Sequence, residues 1–235
     1  MVETTPRYAI YFVPAVESNL YRFGASVLGY DCYSGADLAL DGVDATRGID
    51  WPALTEEPRR YGFHATLKAP FFLSPACEEA QLASAVQSFA GLGRAVASFD
   101  PEVRRIGEFV AVVPRVRNPE LDELAHQCVT IFDAFRAPMT AQERSRRLAS
   151  GLSQSQLQNL DRWGYPYLFE DFRFHMTLTG KVPAKAREAI VTQLAAGFSR
   201  VCGAQPVIVD RLALLKQDGE TARFRVISQD VFGPR

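Results

Sequence analysis

Two short stretches hold the residues best suited to chemistry. The first reads Tyr61-Gly62-Phe63-His64-Ala65-Thr66-Leu67-Lys68-Ala69-Pro70, and the second Asp171-Phe172-Arg173-Phe174-His175-Met176-Thr177-Leu178-Thr179-Gly180. Both contain Phe-His-x-Thr-Leu. On a strand, alternate side chains share a face. Phe63, Ala65 and Leu67 then form one apolar face, as do Phe174, Met176 and Leu178, and each is expected to pack on helices. The opposite faces gather His64, Thr66 and Lys68 on one strand and Arg173, His175, Thr177 and Thr179 on the other. A strand with one apolar and one titratable face suits the wall of a cleft.

Opening a cyclic phosphodiester needs a base to take a proton from water and an acid to protonate the departing sugar oxygen. Histidine, with an ordinary pKa near ~6.5, does either near neutral pH. His64 and His175 are therefore the candidate acid–base pair, and the sequence does not say which is which. The hydroxyls of Thr66 and Thr177 are placed to bind non-bridging phosphate oxygens, and Lys68 and Arg173 to stabilise developing charge. Arg60, just before the first motif, is a candidate for a second phosphate, and Tyr11 for stacking on a base or sugar. A single His-x-Thr is a weak signal, whereas two in the same frame are specific. The chain has three histidines, and the third, His126, falls in a helical pattern and reads as structural. Zinc hydrolases draw on several ligands at tight spacing. No H-x-H or H-E-x-x-H occurs, and Asp171 sits at the strand entrance, so neither a metal nor a cofactor is expected.

The elements that must position these residues are mixed. Strands are predicted at 8–13, 62–69, 95–106, 109–116 and 168–179, with a closing hairpin, 206–216 and 221–231, through Asp218-Gly219. Helices are predicted at 17–29, 78–90, 120–136 and 184–200. Residues 30–60 read as a long loop. Segment 138–165 reads as an insert of two short helices parted near Gly151, each opened by a capping-box pattern, Thr140–Glu143 and Ser153–Gln156. The histidines lie 111 residues apart, and the same offset carries the helix at 78–90 onto that at 184–200. This is a duplication visible as pattern, in which the second half reuses the last strand of the first.

The paired His-x-Thr-Leu strands in a duplicated chain resemble the two-histidine (2H) phosphoesterase superfamily, which includes RNA 2′,3′-cyclic phosphodiesterases and RNA-end ligases. The segments 60–71, 163–167 and 172–180 resemble the bacterial branch encoded with phosphonate-degradation genes. That resemblance runs over essentially the whole chain. It implies an α+β fold spanning 1–235 as one two-lobed unit, with two antiparallel sheets facing across a central cleft and helices outside. It implies no metal, acid–base roles for His64 and His175, and phosphate binding by Thr66 and Thr177. Carbon–phosphorus bond cleavage leaves a phosphorylated ribose 1,2-cyclic phosphate, and the association with that pathway makes such a compound the expected substrate. Cyclic RNA ends, and phosphoribose or RNA binding without catalysis, are the alternatives.

Bulk properties agree with a small substrate. With 26 basic and 27 acidic side chains the net charge is −1, whereas proteins that grip long nucleic acid usually carry a basic excess. Cys32, Cys77, Cys128 and Cys202 form no C-x-x-C pair and read as reduced, buried thiols. The polar N-terminus shows no signal-peptide pattern, and no apolar run approaches the ~20 residues of a membrane span. A cytoplasmic protein is expected, with short RNA ends as the other candidate ligand, no membrane association and no obligate protein partner.

Overall fold

The computed structural model describes residues 5–40, 49–93, 96–148 and 151–233. In chain order these form β1 (Arg7–Phe12), α1 (Asn19–Leu28), α2 (Trp51–Arg59), β2 (Ala65–Phe72), α3 (Glu79–Ala90), β3 (Ala97–Phe99), β4 (Pro101–Ile106) and β5 (Phe109–Pro114). Then follow α4 (Pro119–Ile131), α5 (Ala141–Leu148), α6 (Gln154–Trp163), β6 (Met176–Thr177), α7 (Arg187–Cys202), β7 (Val207–Val209), β8 (Arg211–Gln217) and β9 (Arg225–Val231). The class is α+β.

Seven strands make one antiparallel sheet in the order β4-β5-β6-β2-β1-β8-β9, and β3 pairs with β7 in a second, two-stranded sheet. The sequence β1-α1-β2-α3-β3-β4 recurs as β5-α4-β6-α7-β7-β8, so the duplication is real at the level of elements. Each half lends a strand to the other: β4 lies beside β5, and β8 beside β1. The chains cross at the β3–β7 pair, centred on Ser98 and Ile208. The expected antiparallel α+β architecture is present, with the sheets of the two lobes continuous at one edge. The two halves are joined, because β2 and β6 pair at Ala65–Met176 and satisfy each other's backbone groups at what would otherwise be two open edges.

One face of the sheet is apolar. Phe12, Phe63, Leu67, Val112, Met176 and Leu178 are buried in a single core with residues of α1, α3, α4 and α7. The other face carries the two motifs.

Two predicted segments differ. Residues 30–60 hold helix α2, while 41–48 lie outside the described residues. The helix was hidden by its prolines. Pro52 sits in the first turn, where a missing N–H costs nothing. Pro58 lies inside α2 and leaves the Leu54 carbonyl without its helical donor. The Gly180 N–H takes that place at 2.7 Å, which ties α2 to the end of the second motif. A Cβ on Gly180 would lie 2.9 Å from the Leu54 oxygen, so the contact requires glycine. The strand predicted at 168–179 shrinks to β6, preceded by a 3₁₀ turn at Phe169–Asp171. It ends early because the amides of Leu178 and Thr179 both turn to the Val110 carbonyl, at 2.9 and 3.3 Å. The insert does hold two helices, α5 and α6, and residues 149–150 between them lie outside the described set, as do 1–4 and 94–95. No described helix is long and apolar enough to cross a membrane.

Candidate active site

Both motif histidines stand one residue before their strands begin. The antiparallel register pairs Ala65 with Met176. It therefore sets His64 opposite Thr177 and Thr66 opposite His175. Ala65 and Met176 themselves are fully buried, so the four polar side chains share the other face. They form a four-cornered array in which each histidine faces the other motif's threonine.

The two rings are held in the same way. His64 Nδ1 lies 2.9 Å from the Gly62 carbonyl, and His175 Nδ1 lies 2.6 Å from the Arg173 carbonyl. A carbonyl only accepts, so Nδ1 carries a proton in both rings and Nε2 is the nitrogen left for chemistry. The turn that presents the Gly62 carbonyl requires glycine: its φ is +75°, and a Cβ there would lie 2.6 Å from Cys32 Cβ. Beyond this the halves differ. Thr66 Oγ1 donates to His64 Nε2 at 3.1 Å, and Tyr11 stacks under the His64 ring, 3.8 Å between centroids and 19° between planes. His175 instead meets Phe109 at 5.5 Å.

Burial lowers the His64 pKa to about 4; the Gly62 carbonyl pulls it up and the charge of His175 pushes it down further. Burial also lowers that of His175, against the pull of the Arg173 carbonyl. Both imidazoles are thus neutral at neutral pH in the free protein. An anion seated beside either ring would favour its charged form.

A cleft of about 480 Å³ opens over the array. His64, His175 and Thr177 line it, with Tyr61, Phe109 and Lys181 around them. Motif reading missed the last three. Lys181 continues the alternation of His175, Thr177 and Thr179, but lies beyond the end of the strand predicted at 168–179. It is held by Glu108 at 2.8 Å, and Glu108 also pairs with Arg187 at 3.1 Å. Among the described residues no group of three or more His, Cys, Asp or Glu is arranged to hold a metal ion.

Three expected substrate-binding groups stand elsewhere. Lys68 is turned away from the cleft and buried, donating to the Val129 carbonyl at 3.1 Å and to Asp133 at 3.2 Å. The cause is a break in alternation. Tyr11 pairs with Thr66 but Ile10 with Lys68, so β2 carries an extra residue there, and Leu67, Lys68 and Ala69 are buried in succession. Arg60 donates to the Glu220 carbonyl beyond the cleft rim. Arg173 is exposed and folds back on the carbonyls of Glu170 and Phe172, at 2.8 and 2.7 Å, beside a neighbouring groove. Tyr11 is 1 % exposed and supports His64 from beneath, so its ring face is taken by the histidine. His126 is exposed on α4 and packs edge-on against Phe169. All four cysteines are free; Cys32 and Cys128 are buried, while Cys77 and Cys202 are half-buried.

An α+β chain with mirrored His-x-Thr motifs is thus the class that fold and site define. Residues 66–225 match the family model described as "Protein of unknown function (DUF1045)", and the chain belongs to that family. It is 36% identical over 225 residues to a protein of Janthinobacterium sp. (strain Marseille) named "Ribose 1,5-bisphosphate phosphokinase PhnN". It is 32% identical over 222 residues to a protein of the same name from Laribacter hongkongensis (strain HLHK9). In both cases 94% of this chain is covered but 50% of the relative, so the chain spans about half the length of the curated relatives it matches. Among solved structures it is similar to E. coli LigT complexed with 3′-AMP, at 12% identity and TM-score 0.43, over 97% of this chain and 99% of that one. A crystal structure of a phosphoesterase is similar at 13% identity and TM-score 0.40, over 97% and 99%.

Proposed function

We propose that this chain is a phosphoesterase that opens a cyclic phosphodiester on a ribose-containing small molecule, with His64 and His175 as its acid–base pair. The observation that carries this reading is the register at Ala65–Met176, which brings two distant His-x-Thr motifs into one array on one face of the sheet. A phosphate seated on the array lies between the two Nε2 atoms. One imidazole takes a proton from the attacking water as its oxygen bonds to phosphorus. The other gives a proton to the sugar oxygen as the ring P–O bond breaks. The hydroxyl of Thr177 donates to a non-bridging oxygen, and that of Thr66 turns from His64 Nε2 to do the same once the phosphate is seated. Each positioned proton-transfer group is worth about 10²–10⁴-fold. No metal takes part in this scheme.

The resemblance read in the sequence links the activity to phosphonate degradation, whose ribose 1,2-cyclic phosphate intermediate is a substrate of the required kind. The relatives' name attaches ribose 1,5-bisphosphate and a phosphokinase to proteins about twice as long. Kinases of the P-loop class cradle a nucleotide's phosphates with G-x-x-x-x-G-K-[S/T], a pattern that does not occur in the 235 residues. We therefore assign that kinase to the half of the relatives outside the match, and the esterase to this half. The net charge of −1 favours a small substrate over an RNA end.

The test is turnover, in the presence of a chelator, of a 5-phosphoribosyl 1,2-cyclic phosphate, a nucleoside 2′,3′-cyclic phosphate and a short RNA with a cyclic end. Chelator-resistant opening of the first above the others is expected. Preference for the RNA end would replace the small-molecule reading, and binding of all three without turnover would reduce the chain to a binding protein.

A further inference from the structure

The catalytic face of the sheet extends beyond the histidines differently in the two halves. On one side the register runs Thr177–Ala111–Arg104, one residue from each of β6, β5 and β4. On the other, the matching row runs Thr66–Tyr11–Ala213. Size and charge are reversed between the two. Bulky Tyr11 fills the floor beside Thr66, and buried Ala213 follows it. In the second half the floor is the small Ala111, and a cation follows. At 4.7–4.9 Å per strand, Arg104 begins roughly 10 Å from Thr177.

Arg104 is one of three arginines around a groove of about 370 Å³, with Arg117 and Arg173. Ile106 lines both this groove and the histidine cleft, so the two adjoin. Asp122 neutralises Arg117 at 2.6 Å. Arg104 meets Glu102 at 3.9 Å, and both side chains are well exposed, so that pair is weak. The bonds of Arg173 go to carbonyls, which carry no formal charge. The groove therefore keeps a positive balance. The cleft itself does not: Lys181 is matched by Glu108, and Glu57 lines the same wall. A second anion on the substrate meets a cation already matched over the cleft and is drawn to the groove, where guanidinium forks suit phosphate.

We infer that the groove formed by Arg104, Arg117 and Arg173 is a second anion site, which holds a phosphate monoester of the substrate at Arg104 and Arg173 while the cyclic diester sits at the histidines. Arg104 and Arg173 set specificity there and take no part in bond breaking. This rests on the phosphoesterase reading, and the test separates the two.

Two measurements are made on the wild type and on Arg104→Gln, an exposed position whose replacement leaves the fold intact. The first is the ratio of kcat/KM for 5-phosphoribosyl 1,2-cyclic phosphate to that for ribose 1,2-cyclic phosphate. The second is the affinity for ribose 5-phosphate by calorimetry, which needs no turnover. The wild type should favour the second phosphate by about tenfold or more, and the variant, which keeps Arg173, should lower both that ratio and ribose 5-phosphate affinity by about threefold or more. Equal turnover of both compounds by the wild type, or ribose 5-phosphate binding indifferent to Arg104→Gln, would overturn the inference. Arginine-dependent binding with no turnover of either compound would support the groove and refute the esterase alone.

Discussion

Burial of His64 should make the fold sensitive to mild acid, by an amount the structure sets. Its pKa is about 4 in the folded chain, against about 6.5 in an unfolded one. Since the folded state resists the proton, the contribution is fully present above pH 6.5 and is lost as pH falls toward 4. At 1.36 kcal/mol per pKa unit the whole shift is worth about 3 kcal/mol, most of it lost between pH 7.5 and 4.5. Depressed carboxyls also weaken the fold in acid. Burial pushes Asp133 up, but Arg136 and Lys68 together hold it below the usual range. The His64 share is therefore read as a difference. Urea unfolding at pH 7.5 and 4.5 would be run on the wild type and on His64→Gln, which cannot titrate. With a urea slope of about 2 kcal/mol/M, the wild-type midpoint should fall by roughly 1 M more than that of the variant. Equal falls in both would refute the assignment of a half-buried, neutral imidazole.

Three further outcomes are expected. The kcat/KM profile for a cyclic phosphodiester should be bell-shaped, with its alkaline limb below pH 6.5, because burial lowers both histidines in the free protein; an alkaline limb above pH 7.5 would contradict this. Gly180→Ala should unseat the Leu54 contact and lower both activity and melting temperature, costing about 1–3 kcal/mol as an overpacked, unsatisfied site, whereas an unchanged Tm would show that α2 does not anchor the second motif. Lys68→Met should destabilise by roughly 2 kcal/mol, less than an isolated buried pair because Arg136 still holds Asp133 at 2.8 Å, and kcat/KM of the folded variant should stay within about threefold of wild type; a hundredfold loss would return Lys68 to the substrate.

The parts of this architecture that repeat were legible in the sequence. The two Phe-His-x-Thr-Leu frames and their offset of 111 residues gave the duplication and the apolar faces, because strand alternation and helical spacing are local properties. What depended on pairing between distant segments was not. The junction of the two motif strands rests on one residue pair, Ala65–Met176, which no local pattern encodes. Lys68 was misplaced because an extra residue in β2 reverses its face, and bulges leave no composition signal. Arg173 lines the neighbouring groove rather than the histidine cleft, because β6 starts only at Met176 and alternation does not extend back to it. Arg104 did carry a signal: within 101–106, alternation sets Glu102, Arg104 and Ile106 on one face, but only the sheet order reveals that this face is the one with the histidines.

The central claim is that His64 and His175 act as one proton-transfer unit. Its most direct test is kcat/KM for the preferred cyclic phosphate in His64→Ala, His175→Ala and the double variant, each checked for folding by circular dichroism. Each single change should remove most of the activity, and the double should lose little more than the worse single, because a unit broken once has little left to lose. Losses that multiply, or a single variant that keeps near wild-type turnover, would contradict the account.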